Sequence, residues 1–579
     1  MNFTLGEEHQ KILDCDDHVL VVGGPGSGKT SIALLKAYQR ILKGVNPGER
    51  ILFISFSRAA VARIVEASNN TQHKDLNRHL AVQTFHSFFW EVLRVHGYLL
   101  GCPMKLKLLL PHDEASLRKG INFKHADWDK WLKEREILFK EKGLMAFDLF
   151  AEKINMLFDG SRSLIKLVAS RYPLIIVDEV QDTGTDQWQV IQKLSEFSRV
   201  LFLGDLEQQI YDFLDGVGPK RIIEIEESVK PTRFDLGTLN NRSPNTEILQ
   251  FGNDILLCKA KNEPYKAVTK IDYNGRAADR DKAIRQSIGR VNQWIKGNTG
   301  KLPESIGILC SWDSGVNIVT SALRNGSSPI SHKVLFDETA TLLSSRFLAF
   351  LLEPKLPHQL NSDIAESLEL LSSLFRSYGT SGKLRKSDDF DSWSTKLRTS
   401  DTLTNTKLFK ALVVLIKCLH TQHFAGDPAK DWMLLRRYLK DSAVTELMEV
   451  ERNLQYLMTF NRGKAIAGGL QSEMLKYGVY RNARRVLDEA LAEDQLLFGV
   501  ENLKGIHVMT IHKSKGKQFD GVILFRAANH SSFVWREDPD PYLRSRKILR
   551  VGITRARNHV AILNDRFDVC PILSNYKFQ

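Results

Sequence analysis

Residues 19–36 constrain the fold more tightly than any other stretch of the chain. Val19, Leu20, Val21 and Val22 form an apolar, β-branched run, Gly23 to Gly28 a loop of small residues, and Thr30 opens a segment whose Ile32, Leu34 and Leu35 recur at helical spacing. The order reads as buried strand, tight loop, helix. Such a loop curls successive backbone N–H groups around an anion, and the following helix points its positive end at the same place. Lys29 adds a point charge for the β- and γ-phosphates, and Thr30 a hydroxyl for Mg2+. A nucleoside triphosphate is therefore expected on Gly23, Gly24, Pro25, Gly26, Ser27, Gly28, Lys29, Thr30 and Ser31.

At 579 residues the chain exceeds a single core, and three or four domains are expected. Its hydrophobic content of 43% and charged content of 26% are those of a soluble globular protein. No apolar run reaches membrane-spanning length, and Glu7, Glu8, Asp14, Asp16 and Asp17 make the N-terminus too acidic for a signal peptide. No membrane partner is expected, and the chain should stay in the cytoplasm where it is made. Cysteines at 15, 102, 258, 310, 418 and 570 form no C-x-x-C pair, which points away from zinc knuckles and disulfide frameworks. A net charge of +13 favours a polyanionic partner.

Ahead of the loop, Gln10 sits at a short helix start and carries donor and acceptor together, as reading an adenine edge requires. After it, residues 50–63 read as a second buried strand running into a helix near Arg58, and residues 82–91 as a third strand ending in the turn Thr84, Phe85, His86, Ser87. This rhythm belongs to a parallel sheet, whose ligands gather at the carboxyl ends of the strands. Residues 89–146, with Trp128 and Trp131 among charged neighbours, break the rhythm as a small helical insertion. The sheet resumes at Tyr172 and ends in paired carboxylates. Asp178 suits Mg2+ held through water, and Glu179 suits orienting or deprotonating an attacking water. A further strand, residues 199–205, leads to Gln208, placed to feel the γ-phosphate or its water. Tyr211 and Phe213 follow as stacking faces for bases or as plain core.

In this order the stretches resemble the superfamily 1A helicases of the UvrD, Rep and PcrA type. Gln10 resembles the Q motif, a position that His9 also fits. Gly23 to Thr30 resembles motif I, Ser55 to Ala60 motif Ia, and Thr84 to Ser87 motif Ib. Asp178 to Asp182 matches motif II, Gly204 through Gln208 to Tyr211 motif III, and Ala146 to Phe150 the segment returning from the first insertion. Asn240 to Ser243 resembles motif IV, Thr510 to Asp520 motif V, and Val551 to Arg557 motif VI. The resemblance implies an α/β protein with two RecA-like P-loop NTPase lobes built on parallel sheets, each lobe carrying a mostly helical insertion. The lobes would be residues 1–88 with 147–231 and residues 232–356 with 503–579; the insertions would be 89–146 and 357–502. ATP and Mg2+ are the implied cofactors, with Gly516 beside the nucleotide. The implied partners are single-stranded DNA and its junctions with duplex.

The second half fits physically. Residues 305–310, 506–510, 521–525 and 560–563 are buried-strand candidates for a second parallel sheet. Arg242 and Arg555 are expected to reach the γ-phosphoryl oxygens from the second lobe, because a guanidinium is planar and permanently charged. The resemblance assigns the DNA grips to Phe56, Arg58, Thr84, Phe85, His86, Tyr211 and Phe213 on the first lobe, and to His512 and Lys515 on the second. It also implies movement 3′ to 5′. Stacking tolerates any base, so binding should be largely independent of sequence.

The chain departs from the family pattern at several positions. Asn241 stands where a tyrosine stacks on adenine, Ser31 where an arginine often follows the loop threonine, and Leu214 where a cation is usual. Arg544 and Ser545 replace paired glutamates, and Arg550 replaces a tyrosine. A short first insertion suggests a compact bacterial motor working beside a partner such as a nuclease subunit, in DNA repair or anti-phage defence. The competing reading is a nucleotide-switched regulatory subunit that binds DNA without unwinding it.

Overall fold

Apolar runs too short to be helices become strands buried on both faces, as a parallel sheet covered by helices requires. The computed structural model describes residues 6–24, 27–55, 61, 64–65, 68, 74–119, 121, 125–204, 220–236, 246–325, 328–334, 339–400, 406–454, 462–496, 504–528, 530–535 and 537–578. In chain order its strands begin with β1 (Val19–Val22), β2 (Ile51–Ser55), β3 (Leu80–Thr84), β4 (Lys107–Leu108) and β5 (Leu144–Met145). They continue with β6 (Leu174–Val177), β7 (Arg199–Gly204), β8 (Thr232–Asp235), β9 (Val268–Tyr273) and β10 (Ser305–Cys310). The last are β11 (Lys333–Val334), β12 (Gly505–Thr510), β13 (Phe519–Phe525) and β14 (Ala556–Asp565).

Two six-stranded parallel sheets result, ordered β3-β2-β6-β7-β1-β8 and β11-β12-β10-β13-β14-β9. In the first, Val22 pairs with Gly204 and Val177 with Phe202, so β1 and β6 end on the same edge with β7 between them. In the second, Cys310 pairs with Thr510 and with Phe525, so β10, β12 and β13 also end together. The fold is α/β, and each sheet places its motif-bearing loops at the carboxyl ends of its strands.

Both sheets lie in one compact unit, residues 1–93, 151–336 and 498–579; residues 94–150 and 337–497 form another, mostly helical. Two expected boundaries move. The strand β8 starts beyond residue 231 yet pairs with β1 through Val19–Thr232 to Val22–Asp235, completing the open edge of the first sheet. The helix Thr339–Leu352, expected in the second lobe, instead joins the core of the helical unit. Its Phe347, Leu348 and Leu351 pack in one cluster with Ile364, Leu368, Leu371 and Phe375. A helix apolar on every side must be surrounded on every side. The two insertions also share this core: Leu110 belongs to the same cluster, and Arg346 pairs with Asp113 of the first insertion and Asp488 of the second. Among the described residues no helix is long and apolar enough to cross a membrane.

One buried group in the second sheet makes its stability depend on pH. His559 on β14 is 1% exposed, its ring stacked on Trp294 at 4.3 Å and its Nε2 3.1 Å from the Thr269 hydroxyl. Burial pushes its pKa down to about 4, so it stays neutral while folded. Between that value and the ordinary 6.5, the unfolded chain binds more protons, and stability falls as pH falls. Acidification to pH 5 should cost about 2 kcal/mol through this residue. Denaturant unfolding at pH 7 and pH 5 should show that part of the loss vanish in His559→Gln; an unchanged pH dependence would assign it elsewhere.

Candidate active site

The first functional loop is shaped by two glycines. A Cβ on Gly23 would lie 2.6 Å from Ser27 Oγ and 3.3 Å from Leu236 Cβ, so no larger residue fits where the chain leaves β1. Gly28 adopts φ 94° and ψ 4°, a left-handed conformation that turns the loop into the helix Lys29–Leu42. The turn is closed by Ser27 N–H to Gly24 O at 3.3 Å, and the helix begins with Ile32 N–H to Gly28 O at 3.0 Å. Lys29 Nζ donates to the carbonyls of Gly23 at 2.6 Å and Gly24 at 2.9 Å, which places the ammonium at the loop. Thr30 and Ser31 follow in the first helical turn, both half-buried.

A residue that the sequence reading passed over anchors the preceding helix, Glu7–Asp14. Lys36, 7% exposed, donates to the carbonyls of Ile12 at 2.8 Å, Leu13 at 3.1 Å and Cys15 at 2.6 Å. It caps the negative end of that helix, and burial holds its pKa below the ordinary lysine value. The available signal was a lysine in the apolar run of Ile32, Ala33 and Ala37. Gln10 is exposed, and its amide donates to Asp14 at 3.0 Å. His9, which also fits that position, is half-buried and accepts the Gly6 N–H at 3.1 Å.

At the end of β6, Asp178 donates its N–H to Ile54 O at 2.9 Å, and its carboxylate accepts from Ser55 Oγ at 3.3 Å. It is 7% exposed. Glu179 adopts φ 53° and ψ 47°, costly for a residue with a side chain, and accepts from Gln181 Nε2 at 2.6 Å. That turn leads into Val180–Asp182, where Asp182 is buried and paired with Lys515 Nζ. Lys515 and Gly516, the latter at φ 83°, follow the turn His512–Ser514 at the end of β12. A residue of the first sheet's carboxylate turn thus meets one of the second sheet's first functional turn.

Arg555, 2% exposed, stands between the helix Leu543–Ile553 and β14. Its guanidinium donates to Val551 O at 2.9 Å, Lys517 O at 3.4 Å and Thr554 Oγ1 at 3.2 Å. In this structure it braces the loop leading to β13.

Comparison with known proteins matches residues 10–214 to an AAA domain and residues 505–563 to the UvrD-like helicase C-terminal domain. YjcD of Bacillus subtilis is 23% identical, over 96% of this chain and 78% of its own length. DNA helicase II of Haemophilus influenzae is 22% identical over 94% and 81%. The ATP-dependent DNA helicase PcrA of Staphylococcus aureus is 24% identical over 49% and 44%. The chain is similar over nearly its full length to ATP-dependent DNA helicases of the UvrD and PcrA type.

ATP-dependent relatives of this kind use a nucleotide, and one observation at the loop fits a triphosphate. The Ser27 hydroxyl is buried and, among the described residues, has no hydrogen-bond partner. Thr30 and Asp178 are the hydroxyl and carboxylate suited to the metal.

Of the expected DNA grips, Thr84 closes β3, and its Oγ1 accepts the Ser87 N–H at 3.1 Å, starting the helix Phe85–His96. His86 is half-buried in the first turn of that helix. Phe85 is corrected: it is 1% exposed and packs 5.7 Å from Phe89, so its faces belong to the core. Helical spacing puts 85, 88, 89 and 92 on one buried side. Lys515, also expected to grip DNA, is paired in this structure with Asp182. His512 is half-buried, and burial first, then the cations of Arg544 and Lys515, hold its pKa below the ordinary histidine value. Pro25, Gly26, Phe56, Arg58, Gln208, Tyr211, Phe213 and Arg242 lie outside the described residues.

Proposed function

We propose that this chain is an ATP-driven motor that moves 3′ to 5′ on single-stranded DNA and parts the duplex at its junctions. ATP would bind the loop Gly23 to Ser31, with its γ-phosphate met by Lys29 and sensed by Gln208. Mg2+ would be held by Thr30 and Asp178, and Glu179 would orient the attacking water. Arg242 and Arg555 would complete the charge stabilisation from the second lobe, Arg555 after leaving its present carbonyl partners. Gly516 would border the nucleotide, and His9 or Gln10 would meet the base. Phe56, Arg58, Thr84, His86, Tyr211, Phe213 and His512 would hold the strand by stacking and polar contacts, alternating between lobes as the nucleotide state changes.

The observation that carries this reading is the Asp182–Lys515 ion pair, which ties the carboxylate turn of one sheet to the first functional turn of the other. A change at the phosphate site therefore has a direct route to the second lobe. The reading extends to a bacterial cytoplasmic protein of DNA repair or anti-phage defence, beside a partner such as a nuclease subunit.

With ATP and Mg2+ the purified chain is expected to unwind a 3′-tailed duplex and leave blunt and 5′-tailed duplexes intact. ATP hydrolysis that DNA stimulates without unwinding of any substrate would favour a nucleotide-switched regulatory subunit. Hydrolysis indifferent to DNA would sink both readings.

A further inference from the structure

Arg221, in the first turn of the helix Lys220–Ser228, is 1% exposed, an uncommon place for a permanent charge. Its Nε donates to the Thr183 carbonyl at 3.3 Å, its guanidinium lies 5.7 Å from the centre of the Trp188 ring, and its Nη1 pairs with Glu224. Glu224 itself is exposed, so the guanidinium is anchored from the solvent side. Such a pair adds little stability by itself, because burying the cation offsets most of the attraction.

What Arg221 touches is the turn that carries the paired carboxylates. Thr183 ends that turn, donating its N–H at 3.1 Å and its hydroxyl at 2.7 Å to the Val180 carbonyl, while the Asp182 N–H donates to Glu179 O at 2.9 Å. The closed turn holds Glu179 in its left-handed conformation. Packing completes the brace. Trp188, 6% exposed, sets its ring edge-on to Phe202 of β7 at 5.9 Å. A Cβ on Gly204 would meet Ile222 Cδ1 at 3.0 Å and Val180 Cγ2 at 3.6 Å, so the end of β7, the carboxylate turn and the helix carrying Arg221 pack closely around that glycine.

We propose that Arg221 is a positioning residue for ATP hydrolysis, holding the Glu179 carboxylate in place through Thr183 and the turn that Thr183 closes. The brace rests on the motor reading, in which Glu179 orients the attacking water. Alignment of this kind is demanding, since displacing a reacting group by about 1 Å costs up to roughly 10²-fold in rate. Arg221 lies beyond the last motif residue of the first sheet, and its partner Thr183 is remote in the chain, so no spacing marks it.

The test is steady-state ATP hydrolysis by the full chain with saturating oligothymidine, with thermal melting to establish that each variant is folded at the assay temperature. Arg221→Met should lower kcat roughly 10- to 100-fold and leave the KM for ATP within about threefold, because the phosphate loop is untouched. Arg221→Lys, which can still donate to Thr183, should recover most of the loss. In a Glu179→Gln background Arg221→Met should cost nothing further, since the two residues act as one unit. A folded Arg221→Met chain with the parent's kcat, or a loss as large in the Glu179→Gln background as in the parent, would overturn the brace alone. If Arg221→Met fails to fold, Glu224→Gln decides, because its side chain is exposed: kcat should fall about fivefold, and a parent-like kcat would overturn the brace. A Glu179→Gln chain that hydrolyses ATP like the parent would overturn the water-orienting role and the brace with it.

Discussion

A Lys29→Ala variant is expected to lose ATP hydrolysis by roughly 10³-fold, the scale for removing one preorganised charge-stabilising donor. The fold should survive, because Lys29 is the first residue of the helix Lys29–Leu42 and alanine is the best helix former. The loop should also survive, because its shape comes from Gly23 and the left-handed Gly28 rather than from the lysine. What disappears is the ammonium now held by the Gly23 and Gly24 carbonyls, the charge nearest any phosphate on that loop. Backbone N–H groups would still bind nucleotide, so the loss should fall on turnover more than on binding. Glu179→Gln is the companion, since glutamine meets the same backbone strain at φ 53° and changes only the charge. Phosphate release with saturating single-stranded DNA, alongside binding of a fluorescent nucleotide, measures both. Hydrolysis within tenfold of the parent in Lys29→Ala would remove this loop from the chemistry.

The parts of the fold legible in the sequence were those whose physics is local. Fully buried runs announce themselves, and β1, β2, β6 and β10 lie where the apolar residues cluster. The strand β8 does not, because Thr232, Arg233 and Asp235 are exposed on a sheet edge and carry no apolar run. The strand β11 is only two residues long and gives no period to detect. The helix Thr339–Leu352 was assigned to the wrong body because an all-round apolar pattern says that it is buried, not in which core. At the site the same division holds. Glycines and paired carboxylates declare a phosphate loop through their spacing alone. The fate of Phe85 depended on which side of a helix faced the core, and the roles of Lys36 and Lys515 depended on partners remote in the chain. Lys515 and Asp182 are 333 residues apart, a separation that no periodicity bridges.

That pair should also dominate the response of the sheet-bearing unit to mutation. The Asp182 side chain is fully buried and that of Lys515 is 7% exposed, so solvent screens their interaction little. Lys515→Met leaves a carboxylate in a dry site, and Asp182→Leu leaves an ammonium there. Removing one partner of such a pair costs roughly 3–5 kcal/mol. Removing both charges together should recover most of that loss, because the desolvation penalty of each ion disappears with its charge. Urea unfolding of the parent, the two single variants and the double variant forms the cycle that isolates the coupling. Single variants costing under about 1 kcal/mol each would mean the pair behaves like an exposed one and does not join the two turns in solution. The cycle also bears on the motor, since Lys515 is the contact through which a rearrangement at Asp178 and Glu179 would reach the turn carrying His512. If the pair transmits that rearrangement, the double variant should recover stability yet hydrolyse ATP without unwinding the 3′-tailed duplex. A double variant that unwinds as well as the parent would show that the two lobes are coupled elsewhere.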